Sequence, residues 1–329
     1  MKLGIVGSGK IVHDFLTTAN KIDNLELAAI STTKRSEGIA QDLAKKYDIK
    51  EAYADNDRLY HDSTVDTVYV GVPNFLHYDV AKKALEAGKN VICEKPLVET
   101  IDQAKELKKI ADENDRIIVE AITNIHLENY KQMKKDLSEI APIHIVSLNF
   151  TQYSSRYDNF LKGIIEPVFD PKKDGGALMD INIYNIHLAV GLFGKPKKVQ
   201  YYPVMQKGID TSGILNMIYP GMQASLVAAK DSYANQRSYI EGEKGTIYFD
   251  GSPGVLSNFS VDPKDGEVKH YKLNKYPHRM ASEFNDFVQI IDHHDTKTAN
   301  KLFDHSMAVM DVLVAAKKSY ILIINKLHI

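Results

Sequence analysis

Strand-like and helix-like segments alternate along the first 122 residues, and this alternation restricts the possible folds more than any other feature of the chain. "KLGIV" is a short apolar run, and "GSGKIVHDFLTTA" opens a helical pattern directly after it. "LELAAI" (25–30), "VDTVYVGV" (65–72), "NVICEK" (90–95) and "RIIVEAI" (116–122) read as strands. Between them, "SEGIAQDLAKKY" (36–47), a stretch from about Tyr78 to Ala87, and "TIDQAKELKKIADEN" (100–114) read as helices. In the last of these, Ile101, Ala104, Leu107, Ile110 and Ala111 recur at helical spacing, and Thr100 stands where an N-cap belongs. Strands alternating with helices build βαβ units, and these require a parallel sheet.

A parallel, doubly wound sheet presents ligands at the carboxyl ends of its strands. The turn after the first strand is Gly7-Ser8-Gly9-Lys10-Ile11-Val12. Gly7 permits a tight turn, Gly9 lets a pyrophosphate approach the backbone, and the helix start offers N–H groups to phosphate. A third glycine is expected in this fingerprint, and Val12 stands in its place. The end of the second strand, where an acid would bind the ribose 2′-hydroxyl of NAD, reads Ser31-Thr32-Thr33-Lys34-Arg35. Hydroxyls and cations suit a 2′-phosphate, so NADP is expected over NAD. The plainer alternative is a polar turn with a helix cap at Ser36.

At 329 residues the chain is long for one core, which favours two domains. The net charge is -2, and the lysine pairs (Lys45-Lys46, Lys82-Lys83, Lys108-Lys109, Lys134-Lys135) are mixed with acids. No basic stripe marks a nucleic-acid binder. The single cysteine, Cys93, forms no intramolecular disulfide and reads as an inert core thiol, in keeping with a reducing cytoplasm. No signal peptide and no run of membrane-span length is expected, and the terminal "YILIINKLHI" reads as a docking helix or strand. From about residue 143, "IHIVSLNF", "KVQYYPVM", "SGILNMIYP", "QASLVAA", "RSYIEGE", "GTIYFD" and "VKHYKLN" are rich in β-branched and aromatic residues and read as strands.

"GGALMDINIYNIH" (175–187) breaks this pattern. Asp180, Tyr184 and His187 stand at i, i+4 and i+7 among apolar residues, so a helix carries all three on one face. Three polar groups are costly to bury unpaired, and a face lining a polar cleft removes the conflict. The two glycines ahead of them permit close backbone approach to a cofactor or substrate.

The turns "VPNFLH" (72–77) and "CEKPL" (93–97), together with "EA" at 120–121, "GGALMDINIY", "EGEKGTIYFD" (241–250) and "RMASEFNDFVQII" (279–291), resemble the Gfo/Idh/MocA oxidoreductases in order and spacing over nearly the whole chain. The resemblance implies an α/β Rossmann domain over residues 1–122. It also implies a substrate-binding and oligomerisation domain over 123–329, an α+β unit with a large, mostly antiparallel, open-faced sheet and helices on one face. It places Lys95, within Glu94-Lys95-Pro96, beside the nicotinamide and the reacting carbon. It makes Asp180 the aspartate four residues before the acid/base, which is Tyr184 here. That family position is often histidine. Tyrosine there resembles the branch of glucose–fructose oxidoreductase and dimeric dihydrodiol dehydrogenase, and makes inositol a less expected substrate.

The expected cofactor-binding set is therefore Gly7, Gly9, Lys10, Ile11, Ser31, Thr32, Lys34, Arg35, Pro73, Asn74, His77, Glu94 and Lys95. Lys95, Asp180 and Tyr184 are the expected catalytic residues, and His187 joins them in substrate binding. No metal is expected: "IDHHD" (291–295) looks like a helix end, and adjacent side chains on a helix do not converge on one ion. The expected activity is hydride transfer between NADP, with NAD possible, and a hydroxyl or carbonyl carbon of a small sugar, polyol, dihydrodiol or dicarbonyl. The alternative is a non-catalytic NAD(P)-binding sensor of the same fold. Expected partners are a small-molecule substrate and a second copy, as homodimer or homotetramer through the C-terminal sheet, with neither nucleic acid nor membrane.

Overall fold

The computed structural model describes residues 1–327, which fall into two compact units. The first comprises 1–122 with 280–307, and the second 123–279 with 308–327. The sequence reading divides the chain at 122 and keeps residues 280–307 with the second domain, whereas in the structure they pack with residues 1–122.

The first unit holds six strands, β1 (Lys2–Val6), β2 (Glu26–Ser31), β3 (Glu51–Tyr53), β4 (Thr67–Val70), β5 (Asn90–Glu94) and β6 (Ile118–Ala121). They lie in the order β3-β2-β1-β4-β5-β6, and every pair is parallel. β4 and β6 are buried at every residue, as expected for strands covered on both faces. Helices α1 (Lys10–Leu16), α2 (Glu37–Tyr47), α3 (Asn56–Tyr60), α4 (His77–Glu86) and α5 (Ile101–Glu113) connect them. The Thr100 side chain accepts from the Gln103 amide, and the Gln103 side chain accepts from the Thr100 amide, so α5 opens on a full capping box. Strand order reverses between β1 and β4, which puts the binding crevice at their carboxyl ends.

The late segment joins this unit because its apolar face completes the core. Met280, Phe284, Phe287, Val288 and Ile291 pack with Leu3, Ile5, Phe15 and Tyr69. The Phe284 ring stands 4.2 Å from Phe15 and 5.2 Å from Tyr69, edge-on to the latter. These residues lie on α9 (Arg279–Asp292), numbered after the helices α6 (Glu128–Ile140), α7 (Tyr157–Leu161) and α8 (Ile183–Phe193) of the second unit; α10 (Thr296–Leu327) follows. The expected helix end at "IDHHD" is where α9 stops, with His294 in the left-handed region.

In the second unit β7 (Ile143–Thr151), β8 (Lys198–Gln206), β9 (Ile209–Tyr219), β10 (Met222–Ala229), β11 (Arg237–Gly242), β12 (Gly245–Asp250), β13 (Phe259–Pro263) and β14 (Lys269–Tyr271) form one sheet. Their order is β14-β13-β12-β11-β7-β10-β9-β8, and only β7–β10 is parallel. β9 alternates between buried and less buried residues along its length, the signature of a sheet covered on one face. α6 and α8 pack on it. Between β8 and β9, Lys207 and Gly208 both take positive φ, as a two-residue hairpin requires.

One expectation is corrected. One stretch, 171–193, is apolar and long enough to cross a membrane, but 78% of its most apolar window is buried inside the protein. It is also not one regular helix: it contains a short 3-10 turn, Pro171–Lys173, then a π-turn, Leu178–Asn182, and then α8. The terminal "YILIINKLHI" continues α10 as far as Leu327, and residues 328–329 lie outside the described residues.

Phe284→Ala removes the ring that packs against both Phe15 and Tyr69. Urea unfolding should show a loss of about 3–5 kcal/mol, the usual cost of emptying a core aromatic site. A loss below about 1 kcal/mol would mean that α9 is dispensable to this core.

Candidate active site

Three turns meet at the switch point of the first unit. The Gly7 amide donates to the Ser31 carbonyl at 2.9 Å, and the Gly71 amide donates to the Val6 carbonyl at 2.9 Å. Gly7 has φ +121°, and a Cβ on it would stand 2.4 Å from the Gly71 carbonyl oxygen. Gly9 is the N-cap of α1, and no side chain caps that helix; the Val12 amide turns back to the Gly9 carbonyl at 3.0 Å, so the helix offers an anion the N–H groups of Lys10 and Ile11. A Cβ on Gly71 would come within 2.6 Å of Val12, whose side chain is fully buried. The space that a third fingerprint glycine would create on the helix is therefore created across from it, on the turn after β4.

These turns enclose a groove of about 620 Å³. Gly7, Gly9, Ile11, Ser31, Thr32 and Pro73 of the expected set line it, joined by Ser8, Thr33, Ser36, Val72 and Asn56. Asn56 escaped the sequence reading; its carboxamide oxygen accepts from the Ser31 hydroxyl at 2.7 Å. No carboxylate lines the groove among the described residues. Lys10, Lys34 and Arg35 are exposed, and Asn74 is half-buried on a 3-10 turn, Asn74–Leu76. Ser36 occupies the N-cap position of α2 but makes no side-chain cap bond. A glycine-walled turn, an uncapped helix start and a groove without acids fit a dinucleotide.

The remaining expected cofactor residues lie deeper, at the end of β5. Glu94 is buried and accepts from the Tyr69 hydroxyl at 2.7 Å and from the Lys95 amide at 3.2 Å. Lys95 is half-buried, and the Lys95–Pro96 peptide is cis. The Leu97 amide donates to Glu120 at 2.8 Å. Burial pushes the Glu120 carboxyl up to about 7, against the lowering pull of the Ser306 hydroxyl and the Leu97 N–H. His77 is fully buried, with Nδ1 2.9 Å from the Pro96 carbonyl and Nε2 3.0 Å from the Val72 carbonyl. Burial holds its pKa below the ordinary histidine value. Its ring thus meets the protein's own backbone, where the sequence reading put a cofactor contact.

In the second unit the polar helix begins as the π-turn, a departure common at functional sites. Exposure falls along it: the Asp180 side chain is 31% exposed, Tyr184 is 8% exposed and His187 is 0% exposed. The substrate contact expected of His187 therefore finds no exposed atom. Asp180 pairs with Lys230 at 2.8 Å. Lys230 is buried, donates also to the Val168 carbonyl at 2.7 Å, and stands 4.4 Å over the Phe169 ring. Arg279 donates to the Tyr184 hydroxyl at 3.4 Å. The Tyr184 ring lies beside Phe150 at 5.8 Å, and a Cβ on Gly254 would come within 2.9 Å of it. Neither Lys230 nor Arg279 was anticipated. The two glycines at 175 and 176 are packed closely against the protein itself: a Cβ on Gly175 would stand 2.8 Å from the Pro167 carbonyl oxygen. A Cβ on Gly176 would sit 2.0 Å from the Asp210 carboxylate, which accepts from the Leu178 amide at 2.7 Å.

A phosphate-binding turn on a parallel sheet, and a separate sheet domain carrying a tyrosine among charged side chains, define a two-domain nicotinamide-dinucleotide oxidoreductase. The family model "Oxidoreductase family, NAD-binding Rossmann fold" matches residues 1–122, and the model "GFO/IDH/MocA C-terminal domain" matches residues 138–248. The chain belongs to this family and is an NAD(P)-dependent oxidoreductase acting on CH–OH or carbonyl groups. It is 30% identical to the scyllo-inositol 2-dehydrogenase (NADP(+)) IolU of Bacillus subtilis (strain 168), over 97% of this chain and 96% of that protein. It is 27% identical to the trans-1,2-dihydrobenzene-1,2-diol dehydrogenase of Danio rerio, over 75% and 73%. In fold it is similar to KijD10, a 3-ketoreductase from Actinomadura kijaniata in complex with NADP and TDP-benzene, with TM-score 0.83, 20% identity and 97% of each chain covered.

Gly71→Ala should cost about 1–3 kcal/mol through the clash with Val12. Combining it with Val12→Ala should recover at least about 1 kcal/mol in a double-mutant cycle. Additive costs would mean that the two residues do not share one space.

Proposed function

We propose that this chain transfers a hydride between NADP and a hydroxyl- or carbonyl-bearing carbon of a small polyhydroxylated or dicarbonyl molecule, such as a sugar, a polyol or a dihydrodiol. The observation that carries the cofactor choice is a nucleotide groove without a carboxylate, whose second turn runs from Ser31–Thr33 into the exposed Lys34 and Arg35. An NAD site places an acid at that point, whereas cations there recognise a 2′-phosphate.

When bound, the nicotinamide supplies or takes up the hydride. The protein's own groups manage the oxygen. In this reading Lys95 and Tyr184 both act on the reacting oxygen, Lys95 by donating a hydrogen bond and Tyr184 by passing the proton. Arginine is a donor only, so the contact from Arg279 is accepted by the Tyr184 oxygen, which directs the tyrosine's own hydrogen away from the guanidinium. Lys230 holds one oxygen of Asp180, which fixes the carboxylate to receive a substrate hydroxyl. We assign Ile145, Tyr202, Val204 and Ile214, each more than two-fifths exposed on β7, β8 and β9, to a homodimer or homotetramer contact.

Calorimetric titration should give an NADPH affinity at least about tenfold above that for NADH, and Arg35→Ala should bring the ratio towards one. Equal affinities in the unaltered protein would overturn the 2′-phosphate assignment. Turnover measured by nicotinamide absorbance on a panel containing scyllo-inositol, myo-inositol, a trans-dihydrodiol and aldoses should identify a substrate. On that substrate, Tyr184→Phe should lower kcat by about 100-fold or more, in the usual range for losing a general acid. An unchanged kcat would pass the proton role to another group.

A further inference from the structure

The groove wall and the catalytic lysine belong to two neighbouring turns of the first unit. Val72 and Pro73 line the groove after β4, while Lys95 and Pro96 follow β5. The far side of the Lys95 turn is anchored into the sheet interior by the Leu97 amide on Glu120 and by the Cys93 thiol on the Leu97 carbonyl. His77, the first residue of α4, fills the gap on the near side. It is fully buried, with one ring nitrogen on the Pro96 carbonyl and the other on the Val72 carbonyl, at 2.9 and 3.0 Å.

We propose that His77 is a positioning residue: it spans the two turns and sets the place of Lys95 relative to the wall of the nucleotide groove. The imidazole suits the task by shape as well as by chemistry. Its two nitrogens point in divergent directions from one rigid ring, so a single side chain reaches both carbonyls. Both partners are carbonyl oxygens, which only accept: a protonated ring donates to both, while a neutral ring donates to one and sets the lone pair of its bare nitrogen against the other. The ring fills the gap between the turns in either state, and the protonated ring bonds both. A displacement of a reacting group by about 1 Å is enough to cost two orders of magnitude in rate, so such a tie acts on catalysis without touching the substrate.

The inference rests on the reading of the groove as an NADP site, and the test separates the two. His77→Phe keeps an aromatic volume and removes both nitrogens, while His77→Gln keeps one carboxamide donor able to reach one carbonyl. NADPH and 2′,5′-ADP are titrated into each. The fragment carries the adenosine and its 2′-phosphate, and so engages the turns after β1 and β2 without the nicotinamide end. In His77→Phe the NADPH affinity should fall by about tenfold or more, as for loss of a hydrogen-bonded anchor, with 2′,5′-ADP within about threefold. His77→Gln should recover part of the loss. In a Lys95→Ala background, His77→Phe should add less than about threefold, because the residue it positions is gone. NADPH binding unchanged in folded His77→Phe, or equal weakening of both ligands, would overturn the proposal; if His77→Phe does not fold, His77→Gln is judged by the same two ligands. Failure of the unaltered protein to bind NADPH and 2′,5′-ADP would instead bring down the NADP reading, and this inference with it.

Discussion

Backbone meets backbone where Gly7 faces Gly71, and the nucleotide-binding half of the molecule is built around that approach. Strands β1 and β4 run parallel, and their outgoing turns cross where a single Cβ would lie 2.4 Å from a carbonyl oxygen. The crossing brings the turns after β1, β2 and β4 around one groove. It also explains how the chain departs from the three-glycine fingerprint and keeps its geometry. Closeness between a helix and a strand is a property of the pair, and Val12 is accommodated because its opposite number has no side chain.

The second unit depends on a different device, a buried polar set arranged around the start of a helix. Asn182 and Asn185 donate to the carbonyls of Leu226 and Val227, anchoring the helix to β10. At the end of the same strand Lys230 is buried between an aromatic face, a carbonyl and Asp180. A charge so placed is tolerable only when paired, and breaking such a pair by removing one member leaves the other uncompensated. The helix therefore carries its paired polar groups at its opening turn, where a π-turn and two glycines already interrupt regular packing.

Much of this was legible in the sequence, for reasons that differ by element. The parallel strands announce themselves as apolar runs because both faces are covered, and α5 declares its start through Thr100. By contrast β3, of three residues, is too short to show a period. α6 buries Tyr130, Met133 and Ile140 but also Asn129 and Asp136, so its apolar stripe is broken. Lys230 left a trace that went unread: Met222, Ala224, Leu226 and Ala228 are buried at every second position of β10, and a lysine at the next step of that alternation is a buried cation in need of a partner. His77 stood in a recognisable motif, yet whether its ring faces a ligand or two carbonyls depends on how two distant turns come together. Arg279 beside Tyr184 is likewise a contact across 95 residues of chain, invisible to any local pattern.

The division of the first unit into residues 1–122 and 280–307 bears on how the protein is made. A ribosome delivers the six parallel strands well before it delivers α9. During that interval Phe15, Tyr69, Leu3 and Ile5 lack the covering that Phe284 and Phe287 later provide. The nucleotide-binding core thus waits, incompletely covered, while the whole antiparallel sheet is synthesised. Exposed apolar surface of this kind is what chaperones bind and what drives aggregation, so the nascent chain is most vulnerable in the stretch of synthesis between the two segments.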